Sequence, residues 1–353
     1  MACAMHSIHE HRHSSPELNT DDTDFTDQHR FRIFIKSVEI RVIRVLIGNY
    51  HFSHQLNIRL SLKADSYPMP ILLISSRTNP TIKSIRALHD RKERARTQLF
   101  FVEGIRLVAE AVQLNAEIQT IITAPDLLKS DFARDIAHQA QTQGAQHIDV
   151  TTEVFNTFSD KSGPQGIAAV VKQHWTPLSA LSPPLSAHNS RSTSLAPRPS
   201  LHTLYVALES PQDPGNIGTI LRTADAVGAS GVILLGQHAD PHDPEAVRAS
   251  MGAIFAQHLT QTTFAELLAF KVQHGLSLIG TSDKASLDYR SADYQRPLIL
   301  LMGSERQGLT PDQSIACDQR VRIPMQGRSD SLNLAVATSV LLYESYNQCH
   351  PVK

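Results

Sequence analysis

From residue 71 to residue 173 the apolar positions alternate between short runs and helical spacings. Ile82, Ile85 and Leu88 recur at the spacing of one helix face, and cations fill the other. The stretches "FFVEG", "IQTIITA", "HIDVTT" and "GIAAVVK" read as strands, and "DFARDIAHQAQTQG" reads as a helix ending on Gly144. This pattern predicts a small mixed α/β domain. Residues 174–202 hold five Pro and seven Ser in 29 positions and predict a semi-extended linker. Beyond it, "LYVAL", "GVILL", "LSLIG", "LILLMG" and "RVRIP" are continuous apolar runs, separated by helical segments such as "NIGTILRTADAVGA" and "TTFAELLAFKVQHG". Over residues 203–350 that alternation predicts an α/β domain, a mostly parallel sheet with helices on both faces. Ligands then belong at the carboxyl ends of the strands.

Residues 1–68 fit neither pattern. "HSIHEHRHSS" and "NTDDTDFTDQ" are polar and unpatterned, and "FRIFIKSVEIRVIRVLIG" alternates only loosely. His6, His9, His11 and His13 could ligate a metal, but no Cys or carboxylate stands at ligand spacing to complete a site, so a disordered tail is favoured and no metal is expected. The segment is expected to be a disordered or non-native leader, because Met69, followed by "PILLISSRTNP", reads like a natural start.

A length of 353 residues suits two domains. The 33 basic and 34 acidic residues leave a net charge of −1, so no whole-chain field argues for nucleic acid. Any basic face must be local. One exists between residues 77 and 106, where eight cations stand against Asp90, Glu93 and Glu103. Lys83, Arg86, Arg91, Lys92, Arg94 and Arg106 are the candidate phosphate contacts; a merely solvated helix face is the alternative. Cys3, Cys317 and Cys349 are odd in number and widely spaced, which fits a reducing compartment, and the chain is expected to be cytoplasmic. No apolar stretch approaches the roughly 18 residues that span a bilayer.

Three stretches at strand ends join glycine or proline to polar residues: "ESPQDPGNIGTILRTADAVGA", "LLMGSERQGL" and "RIPMQGRSDSLNLAVA". Gly215 and Gly218 allow close backbone approach, and Asn216 can cap the helix that carries Arg222. Gly218 lies one turn below Arg222 and leaves a face with no side chain, where something could fit. The plain alternative for Arg222 is an ion pair with Asp225, and for "GSERQG" a turn with Glu305 solvated. Ser329, Asp330, Ser331 and Asn333 all precede one helix, although a single cap would start it. Neither phosphate-loop pattern, GxGxxG or GxxxxGK[ST], stands at a strand-to-helix junction, which argues against a nucleoside triphosphate.

Together the three stretches resemble the ordered motifs of the SpoU/TrmH family of RNA ribose 2'-O-methyltransferases, of the SPOUT class. "SRTNPTIKSIRALHDRKERARTQLFFVEGIRLVAEA" and "PQGIAAVV" resemble the ribosomal-protein-like substrate-binding domain of many members. The resemblance implies a deep trefoil knot, a homodimer with RNA near the subunit interface, and S-adenosylmethionine bound in the knot. It implies a polar active-site set of Asn216, Arg222, Glu305, Ser331 and Asn333, and a cofactor pocket at Met302, Gly303, Ile323, Met325 and Leu332. Simple core is the alternative for Ile323 and Leu332. Arg222 is implied nearest the ribose; a guanidinium is a poor base, so gripping a phosphate and stabilising the alkoxide is favoured over direct proton abstraction. The implied substrate is structured RNA, with ribosomal favoured over transfer RNA. A non-catalytic RNA-binding or ribosome assembly factor of the same fold is the alternative from another class.

Overall fold

The computed structural model describes residues 72–160, 163–181 and 203–350. The expected leader at 1–68, with its four histidines, and residues 182–202 of the expected linker lie outside the described residues.

In chain order the first part runs β1 (Leu72–Ile74), α1 (Pro80–Ala87), α2 (Arg91–Thr97), β2 (Leu99–Glu103), α3 (Ile105–Gln113), β3 (Ile118–Thr123), α4 (Asp131–Thr142), β4 (Gln146–Val150), α5 (Thr152–Phe155) and β5 (Ile167–Lys172). Its sheet has the order β1-β4-β3-β5-β2, with parallel pairs on the β1 side and antiparallel pairs where β5 meets β3 and β2. Ile82, Ile85 and Leu88 are all buried, as their spacing requires. The basic segment is two helices rather than one, because the Asp90 side chain accepts from the Lys92 amide and restarts the chain as α2.

The second part runs β6 (Leu204–Glu209), α6 (Pro214–Ala226), β7 (Gly231–Leu235), α7 (Pro244–Ser250), α8 (Ala253–Ala256), β8 (Leu259–Thr262), α9 (Phe264–His274), β9 (Ser277–Thr281), β10 (Leu287–Asp288), β11 (Leu298–Met302), α10 (Pro311–Ala316), β12 (Gln319–Arg322) and α11 (Leu334–Cys349). Seven strands in the order β10-β12-β9-β11-β6-β7-β8 pair in parallel throughout. Period-two burial explains the continuous apolar runs. Leu204, Val206, Leu208, Leu298, Leu300 and Met302 join the core beneath α6, α7 and α11, whereas Tyr205, Ala207, Ile299 and Leu301 pack on the α9 side. The edge strands β8 and β10 escape the sequence pattern, being short and half polar. No helix among the described residues is long and apolar enough to cross a membrane.

Residues 174–181, assigned by composition to the linker, are seated on the second sheet. The Thr176 amide donates to the Leu259 carbonyl (2.9 Å), the Thr260 hydroxyl donates to the Thr176 carbonyl (2.8 Å), and Leu181 is buried beside the Tyr205 hydroxyl, which donates to its carbonyl. A free edge strand satisfies backbone groups that composition cannot foresee.

The two sheets meet across a polar seam that corrects one sequence expectation. Arg94 does not offer its charge to a phosphate, since it is only 1% exposed. Its Nε donates to Asp240 (2.6 Å), its Nη2 to Asp243 (2.8 Å), and its Nη1 to the Leu88 and His89 carbonyls (2.9 Å each). Burial pushes the Asp240 carboxyl up, but the His242 ring and the Arg94 guanidinium beside it outweigh that and hold it well below the carboxylate range. Phe100 closes the seam with its ring 4.8 Å from that of His242 and 6.1 Å from that of Phe255.

Burial lowers the His242 pKa against the opposing pull of Asp240, whose Oδ1 lies 3.7 Å from Nδ1, and burial lowers that of His147 as well. The fold disfavours the charged form of both rings, while the unfolded chain takes up protons below the ordinary value of 6.5. Their contribution to stability is therefore complete above that pH and is lost as pH falls through the depressed folded values. Thermal unfolding between pH 8 and about 5 is expected to show a melting temperature that is flat and then declines below about 6.5, and His242→Gln is expected to shallow that decline.

Candidate active site

Because every strand of the second sheet runs the same way, the loops after β6, β11 and β12 gather at one edge. The first leads into α6, whose cap is Asp213 rather than Asn216. The Asp213 carboxylate accepts from the Asn216 amide N–H (3.0 Å), and Pro214 follows at the first helical position. "QDPGN" carried that signal. Relieved of capping, the Asn216 side chain is free to turn to its neighbours.

The second loop is "GSERQG". Ser304 and Gly308 exchange backbone hydrogen bonds of 3.0 Å each, which closes a tight loop with Glu305 at its exposed tip. Gly308 has a φ of +67°, and a Cβ on Gly303 would come within 2.5 Å of the Gly308 backbone, so neither glycine can be replaced without moving the loop. The Gly303 amide donates to the Thr281 hydroxyl at the end of β9 (3.3 Å), a support that sequence alone did not point to.

The third loop ends in Asn333, which caps α11 by accepting from the amides of Ala335 (2.9 Å) and Val336 (3.3 Å). Its other end donates from Nδ2 to Asn216 Oδ1 (2.9 Å), and Asn216 Nδ2 donates to Glu305 Oε1 (2.6 Å). A continuous chain Asn333–Asn216–Glu305 thus joins three loops remote in sequence. Ser331 is not part of it: its hydroxyl donates to Asp330 (3.1 Å).

Arg222 stands apart from that chain, six residues beyond Asn216 on α6, about 9 Å along the helix axis. It is exposed and makes no hydrogen bond or ion pair among the described residues, because Asp225 instead accepts from Gln257 Nε2 (3.2 Å). The space one turn below it is filled by α7. A Cβ on Gly218 would meet the Ala246 carbonyl at 2.2 Å, so the missing side chain serves the close packing of α7 on α6.

Of the positions expected to hold a cofactor, Met302 has its side chain 2% exposed, in the core. Gly303 is buried, Ile323 is half-buried against the core, and Met325 and Leu332 are each 38% exposed. Between Met325 and Leu332 the backbone N–H groups have no hydrogen-bond partner among the described residues. Exposed apolar side chains beside unspent backbone donors suit a ligand with a flat heterocycle and polar edges. No group of side chains able to hold a metal occurs among the described residues.

On the first domain, Lys83, Arg91, Lys92 and Arg106 are exposed, and Arg86 is half-buried and donates to the Arg77 carbonyl (2.9 Å). Arg91 is anchored on the His238 carbonyl (2.9 Å). Asn333→Ala is expected to lower stability by about 0.5–2 kcal/mol and Asn333→Asp to recover only part of it, since a carboxylate caps equally well but cannot donate to Asn216; denaturant unfolding checks both.

The model of the SpoU rRNA Methylase family matches residues 203–343, and that of the MRM3-like substrate binding domain matches residues 79–169. An uncharacterized tRNA/rRNA methyltransferase of Synechocystis is 33% identical over 289 residues, covering 80% of this chain and 97% of the relative. The 23S rRNA (uridine(2479)-2'-O)-methyltransferase of Streptomyces viridochromogenes is 30% identical over 268 residues, 74% of this chain and 87% of its own. Among solved structures, the AdoMet-bound rRNA methyltransferase of Sinorhizobium meliloti superposes with a TM-score of 0.69 at 34% identity, covering 80% of this chain and 99% of that one. With both domains matched in order and the sheet-edge loops in place, this chain belongs to the SpoU rRNA methylase family.

Proposed function

We propose that this protein transfers a methyl group from S-adenosylmethionine to a ribose 2'-hydroxyl of structured RNA, with ribosomal RNA favoured over transfer RNA. The observation that carries the reading is the Asn333–Asn216–Glu305 chain at the sheet edge, beside a bare Arg222. Residues 203–350 form the methyltransferase domain, including a deep trefoil knot, and residues 71–173 form the RNA-binding domain. Support for ribosomal RNA comes from that attached domain and from the relatives named above.

S-adenosylmethionine, when bound, supplies an electrophilic methyl group. Ile323, Met325, Leu332 and the backbone about Gly303 would hold its adenosine. The chain's own residues must then bring up a weak nucleophile and accommodate the loss of its proton. Positioning alone can supply about 7–11 kcal/mol in well-oriented systems. Asn216 holds Glu305 and Asn333 in fixed relation, and so fixes the walls of the site. Arg222, with its five N–H donors unspent, grips the phosphate next to the target ribose and stabilises the alkoxide as it forms, leaving the proton to the phosphate or solvent. Ser331, on the same loop, faces the reacting groups once RNA is bound.

The working unit is a homodimer in the cytoplasm. Support for pairing lies on α11, where Val336 and Tyr343 are 49% and 48% exposed about one and three turns beyond the site, on a helix that packs against the one carrying Arg222. A twofold partner would cover that apolar surface and close the space between Arg222 and the polar chain. Lys83, Arg86, Arg91, Lys92 and Arg106 hold backbone phosphates and set the register of the RNA.

Incubation with labelled S-adenosylmethionine and total RNA, followed by mapping of the ribose mark, tests the reading; label on a base, or on no RNA, overturns it. Arg222→Lys is expected to keep RNA affinity within a few-fold while turnover falls by roughly 100-fold or more. Equal loss of both would remove Arg222 from the reaction. Methylation is also expected to fall steeply as salt rises from about 50 to about 200 mM, by counterion release, and a flat salt profile would count against the basic helices as phosphate contacts.

A further inference from the structure

Away from the Asn216 chain, a cleft of about 920 Å³ opens at the carboxyl ends of β6, β7 and β8, where the first domain's Gln98 also reaches the wall. Its apolar walls are Trp175, Phe264 and Leu235. The Trp175 ring is held from behind by His242, with centroids 5.3 Å apart and planes at 72°, and its indole N–H donates to Gln173 (3.4 Å). That fixes an aromatic surface in place before any ligand arrives.

The polar lining defines what can enter. No lysine or arginine lines the cleft, so it is not built for a phosphate. Its two carboxylates accept hydrogen bonds from neutral groups, and Glu266 Oε1 has no partner among the described residues. Glu209 accepts from Ser210 (2.6 Å) and Gln313 (2.5 Å), and Glu266 accepts from the Thr262 hydroxyl (2.7 Å) and from the Thr263 amide and hydroxyl (2.9 Å each). Neutral donors do not cancel a carboxylate's charge, so the lining excludes an anionic group and favours one that brings N–H donors. What remains is the exposed amide of Gln261, unbonded among the described residues, and Gln98 Oε1, whose own Nε2 is spent on Ala95. An aromatic face edged by two amides and two carboxylates suits a planar heterocycle that carries N–H groups and no negative charge on its ring. A cation outside the cleft is Arg91, held on the carbonyl of His238, whose ring lies 6.3 Å from that of Trp175.

We propose that this cleft receives an unpaired nucleobase of the RNA substrate, stacked on Trp175 and read at its edge by Gln261 and Gln98, with the attached phosphate on Arg91. The proposal rests on the RNA methylation reading and adds a base-binding subsite distinct from the Asn216 chain. Stacking of this kind tolerates any base, and the two amides supply the preference among them.

Trp175 is the chain's only tryptophan, so its fluorescence reports on the cleft directly. The full chain is titrated with a labelled single-stranded hexaribonucleotide and with the same sequence as a duplex, and Trp175 emission is followed alongside the anisotropy of the label. Saturable quenching by the single strand, in step with anisotropy and weaker for the duplex, is the expected result. Trp175→Ala is expected to weaken single-strand binding by roughly 5- to 100-fold, with Trp175→Phe recovering much of it. Gln261→Ala, on the exposed rim, keeps the test open should Trp175→Ala fail to fold, and is expected to weaken binding and alter base preference. Anisotropic binding without quenching, equal quenching by the duplex, no binding at all, or rim and wall variants with unchanged affinity would each overturn the proposal. Methyl transfer by the unaltered chain is measured separately, so a functional enzyme with an idle cleft is distinguished from a failure of the methylation reading.

Discussion

One amide holds the candidate site together. A sheet with all its strands parallel sends its connecting loops to a single edge, but it does not by itself fix those loops relative to one another. Asn216 does so by donating to Glu305 and accepting from Asn333 at once. Only a side chain with both a donor and an acceptor can stand in that place: aspartate would lose the bond to Glu305 and face it with a like charge, and leucine would lose both. Asn333 has the same double character, spending its oxygen on the first turn of α11 and its nitrogen on Asn216. The capping of a long helix and the alignment of the site are therefore one structural event.

The seam between the two domains follows a different rule. Arg94 places a full charge out of water and recovers it through two carboxylates and two carbonyls. Such a pair is weak evidence for net stability, because desolvation offsets much of the attraction, but removal of either side leaves an uncompensated charge in the interior. Its effect is geometric: it fixes α2, and with it Arg91 and Lys92, against the loop that carries Asp240. The cations that remain exposed thereby keep a set relation to the sheet edge.

These two constraints leave Arg222 in contrast. The polar chain is bonded from end to end, whereas Arg222 is exposed and has its donors free among the described residues. A rigid frame beside an unspent guanidinium is an arrangement suited to a charge that arrives with the substrate, since the frame need not reorganise when it comes.

The sequence by itself determined much of the architecture. Buried strands appear as unbroken apolar runs because both faces of a parallel sheet are covered, and Ile82, Ile85 and Leu88 appear at helical spacing because one face of α1 is covered. These are local periodicities, and local periodicity is written in the chain. The three polar stretches were also legible, by their place at strand ends and their likeness to a family's motifs. What only the tertiary structure decided is the fate of individual polar groups. Arg94 reads in sequence like Arg91 and Lys92, yet it is buried, because Asp240 and Asp243 approach it from about 150 residues away. Gly218 reads as room for a ligand, yet α7 fills that room. Ser331 and Asn333 read as equivalents, yet only Asn333 reaches Asn216. Hydrogen bonds and close packing between distant segments depend on three-dimensional proximity, and a one-dimensional pattern carries no record of it.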